Sequence, residues 1–291
     1  MTERPNAQCK PPWLPIIRLA SRVVSWCFRA EYLPVPALDL LHAAAAFGAA
    51  FLAGLINSVA GGGTLVTFPT LIWLGLNSVT ANATSTVATW PGTLGSSWGY
   101  RQELRTIEPR LFWLMVPSVI GGLAGAWLLR FTPPAVFDRL IPYLILFATL
   151  LFMAQDSVQR VLKLTDTTPH KSRRWLAGAM IFQFFVAVYG GYFGAGIGIL
   201  MLAALSVMGL TDMHQMNSLK VLLGGAINGV AVVYFVSNRM VFWPDVVLMA
   251  IGAIVGGYWG AGLARKVGGR VVRRLVVVIG FGLALSFFVR R

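Results

Sequence analysis

Along this chain the apolar residues come in long, nearly unbroken blocks separated by short polar stretches. The blocks run at roughly 39–60, 64–76, 79–100, 111–130, 135–154, 175–193, 197–210, 213–236, 245–263 and 271–289. Most have the roughly 20 residues that an α-helix needs to cross a hydrocarbon core about 30 Å thick, at about 1.5 Å per residue. Backbone groups in lipid must be satisfied within their own segment, so such blocks predict helices. The pattern therefore predicts an all-α, polytopic integral membrane protein. Two blocks are too short: 64–76 and 197–210 would each make a helix of only about 20 Å. Each follows a glycine cluster, Gly61-Gly62-Gly63 in one case and Gly194-Ala195-Gly196-Ile197-Gly198 in the other.

The two clusters are in register. An offset of 134 residues lays Ala60–Thr64 on Gly194–Gly198, Gly75-Leu76 on Gly209-Leu210, Gly95 on Gly229, Tyr100 on Tyr234 and Arg105 on Arg239. With one insertion, Gly121, Gly122 and Gly125 match Gly256, Gly257 and Gly260. The expected organisation is a basic N-terminal extension (1–38), a first repeat (39–154), a basic linker (155–174) and a second repeat (175–289) of about five helical segments each. Duplicated halves with a glycine-broken short helix at equivalent places point to a secondary transporter whose site lies at the broken helices.

Composition sharpens this. Of 291 residues, 57% are hydrophobic and 12% charged, where a soluble domain carries about a quarter charged residues. The net charge of +14 does not indicate a nucleic-acid partner, because the basic residues fall in short clusters between apolar blocks, the pattern that orients helices in a membrane. Cys9 and Cys27 both precede the first block and give neither a disulfide framework nor a metal spacing. In 1–38, Arg18, Arg22 and Arg29 interrupt the apolar run, so an interfacial amphipathic helix or a basic arm is expected and not a signal peptide. The loops 101–110, 155–174 and 264–274 carry three, five and five Lys/Arg, against two in 130–139 and one in 237–244. Ten crossings with inverted halves and eight crossings with both termini in the cytoplasm each explain part of this bias.

Glycine allows backbone turns that other residues cannot make, and the helix that follows a turn presents N–H groups and a dipole that suit an anion. Gly61, Gly62, Gly63 and Thr64, with Gly194, Gly196 and Gly198, are therefore candidate ligands. The competing reading is close helix packing, which accounts for Gly121, Gly122, Gly125, Gly256, Gly257 and Gly260. Lys220 is the basic residue well inside a block, about 10 Å from Asp212 by helical rise, a depth at which a charge needs a cavity or a partner. Asn217, Lys220, Gly224 and Asn228 fall on one helical stripe, an amine flanked by amides. Snorkelling of Lys220 to the interface is the alternative. The offset places Thr86 opposite Lys220, with Asn82, Thr86, Thr89 and Thr93 on one face, either ligating an oxyanion or bonding helices together. Asn57 shares a face with Gly54 and Gly61 beside the first broken turn.

Asp39, Asp138 and Asp245 lie near block ends, so no buried carboxylate is expected to relay protons or hold a cation. His42, a few residues inside the first block, could titrate near neutral pH, but reads first as a packed interfacial histidine. No nucleophile, zinc or phosphate-loop motif appears, so neither an enzyme, a metal nor a cofactor is expected. The stretch Gly54–Thr64, with Phe68-Pro69 and Ala81-Asn82-Ala83-Thr84, resembles the TauE/SafE family of anion transporters. So does the second half, with Asn217-Ser218-Leu219-Lys220, Asn228, Trp243, Gly256-Gly257 and Gly260. The resemblance covers about 40–289. It implies a bacterial inner-membrane protein of a family that moves sulfite, sulfoacetate and other organic or sulfur-containing anions. The second cluster departs from a plain triple glycine at Ala195 and Ile197, so the two turns need not bind equally. The expected function is secondary transport of a small anion across a lipid bilayer, with a passive anion channel or a membrane scaffold as the rival readings.

Overall fold

The structure is a computed structural model describing residues 39–59, 62–99, 101–105, 107–164, 173–207, 210, 213–267, 277–282 and 284–286. The expected N-terminal extension, Gly61 and linker residues 165–172 lie outside the described residues. Every described element is helical: α1 (Leu40–Val59), α2 (Thr64–Trp73), α3 (Ser78–Gly99), α4 (Arg101–Leu104), a 3₁₀ turn (Pro109–Leu114), α5 (Met115–Phe131), α6 (Pro134–Leu164), α7 (Arg173–Tyr192), α8 (Ile197–Val207), α9 (Met213–Ser237) and α10 (Trp243–Val267). A helical stretch, Val277–Ser286, follows. Each apolar block of the sequence thus carries a helix, and the two short blocks carry the short helices α2 and α8.

Among the described residues, four helical stretches are long and apolar enough to cross a membrane: Leu40–Asn57, Pro109–Phe131, Pro134–Leu151 and Gln215–Ser237. The shorter apolar helices Thr64–Trp73, Ala177–Tyr192, Trp243–Tyr258 and Val277–Ser286 accompany them. Large apolar side chains such as Trp127, Phe131, Tyr143, Phe185, Val233 and Ile251 are exposed. A water-facing surface would not carry so many of these in contiguous helices, whereas lipid solvates them without cost.

Glycines set the helix pairing. Along α1 and α10, a Cβ on Gly54 would strike the Ala253 carbonyl, one on Gly256 the Phe51 carbonyl, and one on Gly252 would lie 2.7 Å from the Phe47 carbonyl. Residue numbers rise together along both helices, so they run parallel, backbone against backbone. Helices α5 and α7 pair the same way. A Cβ on Gly121 would lie 2.6 Å from the Phe184 carbonyl, and one on Gly125 would strike that of Val188. Close packing thus explains Gly121, Gly125 and Gly256. The middle of the fold is the α3–α9 contact, where Trp90 Nε1 donates to the Gly225 carbonyl at 3.0 Å.

Hydrogen bonds show which helix ends lie together. His42, at the start of α1, meets Asp245, at the start of α10, at 2.8 Å. The Phe242 N–H donates to Thr84 Oγ early in α3 at 3.0 Å, and Asn82 Nδ2 donates to the Tyr192 carbonyl at the end of α7 at 2.9 Å. The Tyr192 ring packs edge-on against Phe137, in the first turn of α6, at 5.5 Å. The starts of α1, α3, α6 and α10 and the end of α7 therefore share one end of the helix bundle.

Candidate functional site

Both broken turns lie deep in the bundle. Gly63 sits against Ala53, where its Cβ would be 2.6 Å from the carbonyl; that is 13 residues into α1, about 20 Å by helical rise. Gly196 sits against Ala148 of α6, a similar distance along that helix. Gly62 has φ +100°, Gly194 +78° and Gly196 +77°, left-handed backbone that a side chain disfavours by about 1–2 kcal/mol. Glycine is thus required at these turns for conformation, and at Gly63 for space.

At the first turn, Asn57 Oδ1 accepts the Gly63 N–H at 2.8 Å. Its amide therefore closes the start of α2, satisfying one of the N–H groups a helix leaves unpaired. Thr67 bonds Ser85 of α3 at 2.6 Å, so α2 and α3 form an antiparallel hairpin. Thr64 is half-buried as the first residue of α2. The hydroxyl stripe predicted on α3 is turned onto its own helix. Thr86 donates to the Asn82 carbonyl at 2.9 Å, Thr89 to that of Ser85 at 2.9 Å, and Thr93 to that of Trp90 at 2.7 Å. Their hydroxyl protons are thus engaged by backbone carbonyls.

The second turn gathers the basic and amide residues. The Lys220 stem lies on Gly198, whose Cβ would be 3.3 Å from Lys220 Cδ. Its ammonium donates to Asn217 Oδ1 at 2.9 Å, and among the described residues no carboxylate pairs with it. A Cβ on Gly194 would lie 4.0 Å from Asn228 Oδ1. Lys220, Asn217 and Asn228 thus flank the α7–α8 turn and the first turn of α8. Asn82 joins them from the first half through Tyr192, with its Oδ1 buried and without a partner among the described residues. Lys220 is only half-buried, with its ammonium next to the positive end of α8. Two like-signed features together favour an anion between them.

Three features were not anticipated. Tyr189 donates its hydroxyl to the Ala195 carbonyl at 2.6 Å, pinning the second turn. Trp90 lies across Gly229, which has room for the indole because it lacks a side chain. Asp245, expected at an interface because it stands near a block end, is 0% exposed and paired with His42, itself 4% exposed. Asp245 does stand near a helix end, as its place in the sequence indicates, but is buried there; position along a helix measures depth in the membrane, not burial among neighbours.

The family model for the sulfite exporter TauE/SafE matches residues 46–287, most of the chain. The chain belongs to the TauE/SafE family. It is 28% identical over 246 residues to a probable membrane transporter protein of Haemophilus influenzae, covering 84% of this chain and 92% of that one. It is 24% identical over 234 residues to the probable membrane transporter protein YfcA of Escherichia coli, covering 80% and 84%. A probable membrane transporter protein of a Sinorhizobium species is 26% identical over 240 residues, covering 82% and 89%. No solved structure matches the chain. Membership in TauE/SafE together with the apolar helices makes this a multi-pass membrane transporter, with a small-molecule substrate and a lipid environment.

Proposed function

We propose that this TauE/SafE protein is a secondary transporter that exports a small anion, sulfite or an organosulfonate or carboxylate, across a bacterial inner membrane. The anion binds between the ammonium of Lys220 and the first turn of α8, with Asn217 and Asn228 beside it and the α1–α2 turn as the opposing wall. The observation that carries this is the contact of Lys220 with Gly198. It sets the half-buried basic side chain of α9 at the positive end of a short helix inside the bundle. Maintaining a lysine at that depth costs several kcal/mol unless a counter-charge or water compensates. A substrate anion is the counter-charge that this site lacks.

The proposal includes two inverted repeats, 39–154 and 175–289, and ten crossings. In its support, the α1–α10 and α7–α5 contacts have the same parallel, glycine-notched form. Helices α1, α3 and α10 also start at one end of the bundle, which requires α2 to carry the chain back across.

Purified protein in liposomes, offered labelled sulfite, sulfoacetate and carboxylates, tests this. One anion should move saturably and accumulate against its gradient, and Lys220→Met should lose most of that movement. Equilibration without accumulation would make the protein a passive channel, and no movement of any anion would overturn the reading.

A further inference from the structure

We propose that His42 and Asp245 form a proton-binding dyad that makes the proton the coupling ion of this transporter. The inference rests on the anion-transport reading above but on different residues. His42 Nε2 and Asp245 Oδ1 are 2.8 Å apart, with 4% and 0% of their side chains exposed. Asp245 Oδ2 is buried and has no hydrogen-bond partner among the described residues. A carboxylate kept only to fasten α10 to α1 should have both oxygens satisfied, because each buried unpaired lone pair is costly. With one oxygen on histidine and the other unpartnered, the dyad carries one negative charge when the imidazole is neutral. A single added proton brings it to zero, whichever atom holds it. In an apolar interior that is a large electrostatic difference.

The surroundings leave the dyad as the local titrating centre. Helices α2 and α3, which pack on α1 and α10, contain no ionisable residue. On α1 the neighbour is Asp39, exposed at the helix start, whose Oδ1 accepts the His42 backbone N–H at 2.8 Å. On α10 the remaining ionisable residues, Tyr258, Arg265 and Lys266, lie at least three turns beyond Asp245. Arg239 stands in the turn before α10. Asp39 thus offers a surface carboxylate one turn from His42, a route for protons from the membrane face at which α1 and α10 begin.

The dyad is also mechanically connected to the anion site. Helix α1 carries Asn57 and the first glycine turn, and its glycine-notched contact with α10 leaves no room for one helix to slide on the other. From the turn that begins α10, the Phe242 N–H holds Thr84. Two residues earlier on α3, Asn82 holds the Tyr192 carbonyl where the second turn begins. A change in charge between α1 and α10 therefore reaches both broken turns through the side-chain-to-backbone hydrogen bonds of Asn57, Thr84 and Asn82.

The test uses the full chain in liposomes with a trapped pH dye and labelled sulfoacetate, which carries no titrating proton near neutral pH, and infrared difference spectra across a pH jump. Asp245→Asn and His42→Gln keep the size and hydrogen-bonding capacity of the pair. Both should reduce accumulation driven by a pH gradient at least tenfold, while sulfoacetate exchange without a gradient stays within about threefold. A protonated-carboxyl band should appear or vanish with pH in the wild type and be absent from Asp245→Asn. Full gradient-driven accumulation in both variants, or a titrating band unaltered in Asp245→Asn, would overturn the proposal. A band that depends on Asp245, in a protein that moves no anion, would uphold the proton site and overturn the anion reading.

Discussion

At the scale of single residues, Lys220 carries the proposed anion site. It is a lone basic residue in an apolar block, on a stripe with two asparagines, and the structure sets its stem on Gly198. Replacing it with methionine keeps its length and removes one charge-assisted contact, worth about 1.5–3 kcal/mol, or roughly 10- to 150-fold in affinity. Transport assays should show that increase in apparent Km with protein abundance unchanged; an unaltered Km would return Lys220 to a snorkelling role. Gly198→Ala should act on the same ammonium from beneath. Its methyl would stand 3.3 Å from Lys220 Cδ, so the flexible stem must shift and affinity should fall several-fold while the fold persists. Asn57 was legible as a polar group at the turn, but not as the group that closes the start of α2. Asn57→Ala should cost about 1 kcal/mol, the usual net worth of one such hydrogen bond, visible as a lower unfolding midpoint in detergent. The burial of Asp245 was not legible, because it depends on what packs around a helix end, and its partner His42 lies 203 residues away.

At the scale of elements, the helices themselves were legible because apolar length is a strong signal in lipid. Their pairings were not. Lipid-facing and protein-facing sides are both apolar, so no periodic stripe marks the contact face. Small residues hint at the contacts, but only the coordinates separate a notch from a turn. Gly62, Gly194 and Gly196 are turns, with φ of +100°, +78° and +77°. Gly62→Val or Gly196→Val should abolish transport, since valine in left-handed backbone costs more than the roughly 1–2 kcal/mol typical of a side chain there. The proper control is Gly178→Ala, on the exposed face of α7 with nothing within 4 Å of its Cβ, and not Gly122→Ala, whose Cβ would be 3.0 Å from the Ile227 carbonyl. Full transport by the valine variants at normal abundance would show that the turns are not part of the site.

At the scale of the whole molecule, α6 starts at the same end as α1 and α10 and continues for 31 residues, about 46 Å. Its far end, at Leu164, therefore lies on the opposite side. The five basic residues of 155–174 predict that this side is cytoplasmic. Reporter fusions should accordingly read the linker and 264–274 as cytoplasmic and 237–244 as periplasmic; a periplasmic 264–274 would restore the eight-crossing arrangement that the sequence left open. The parallel pairing of α1 with α10 also has a consequence in time. A ribosome adds roughly 5–20 residues per second, so α1 enters the bilayer some 10–40 s before its partner exists. For that interval the stretch of α1 at Phe47, Phe51 and Gly54 that receives α10 is sealed by lipid alone. The amino-terminal half made by itself should be cleared by proteases, whereas two halves severed within 165–172 and expressed together should find each other and restore transport. Of the described helices, the first made is among the last to be finished.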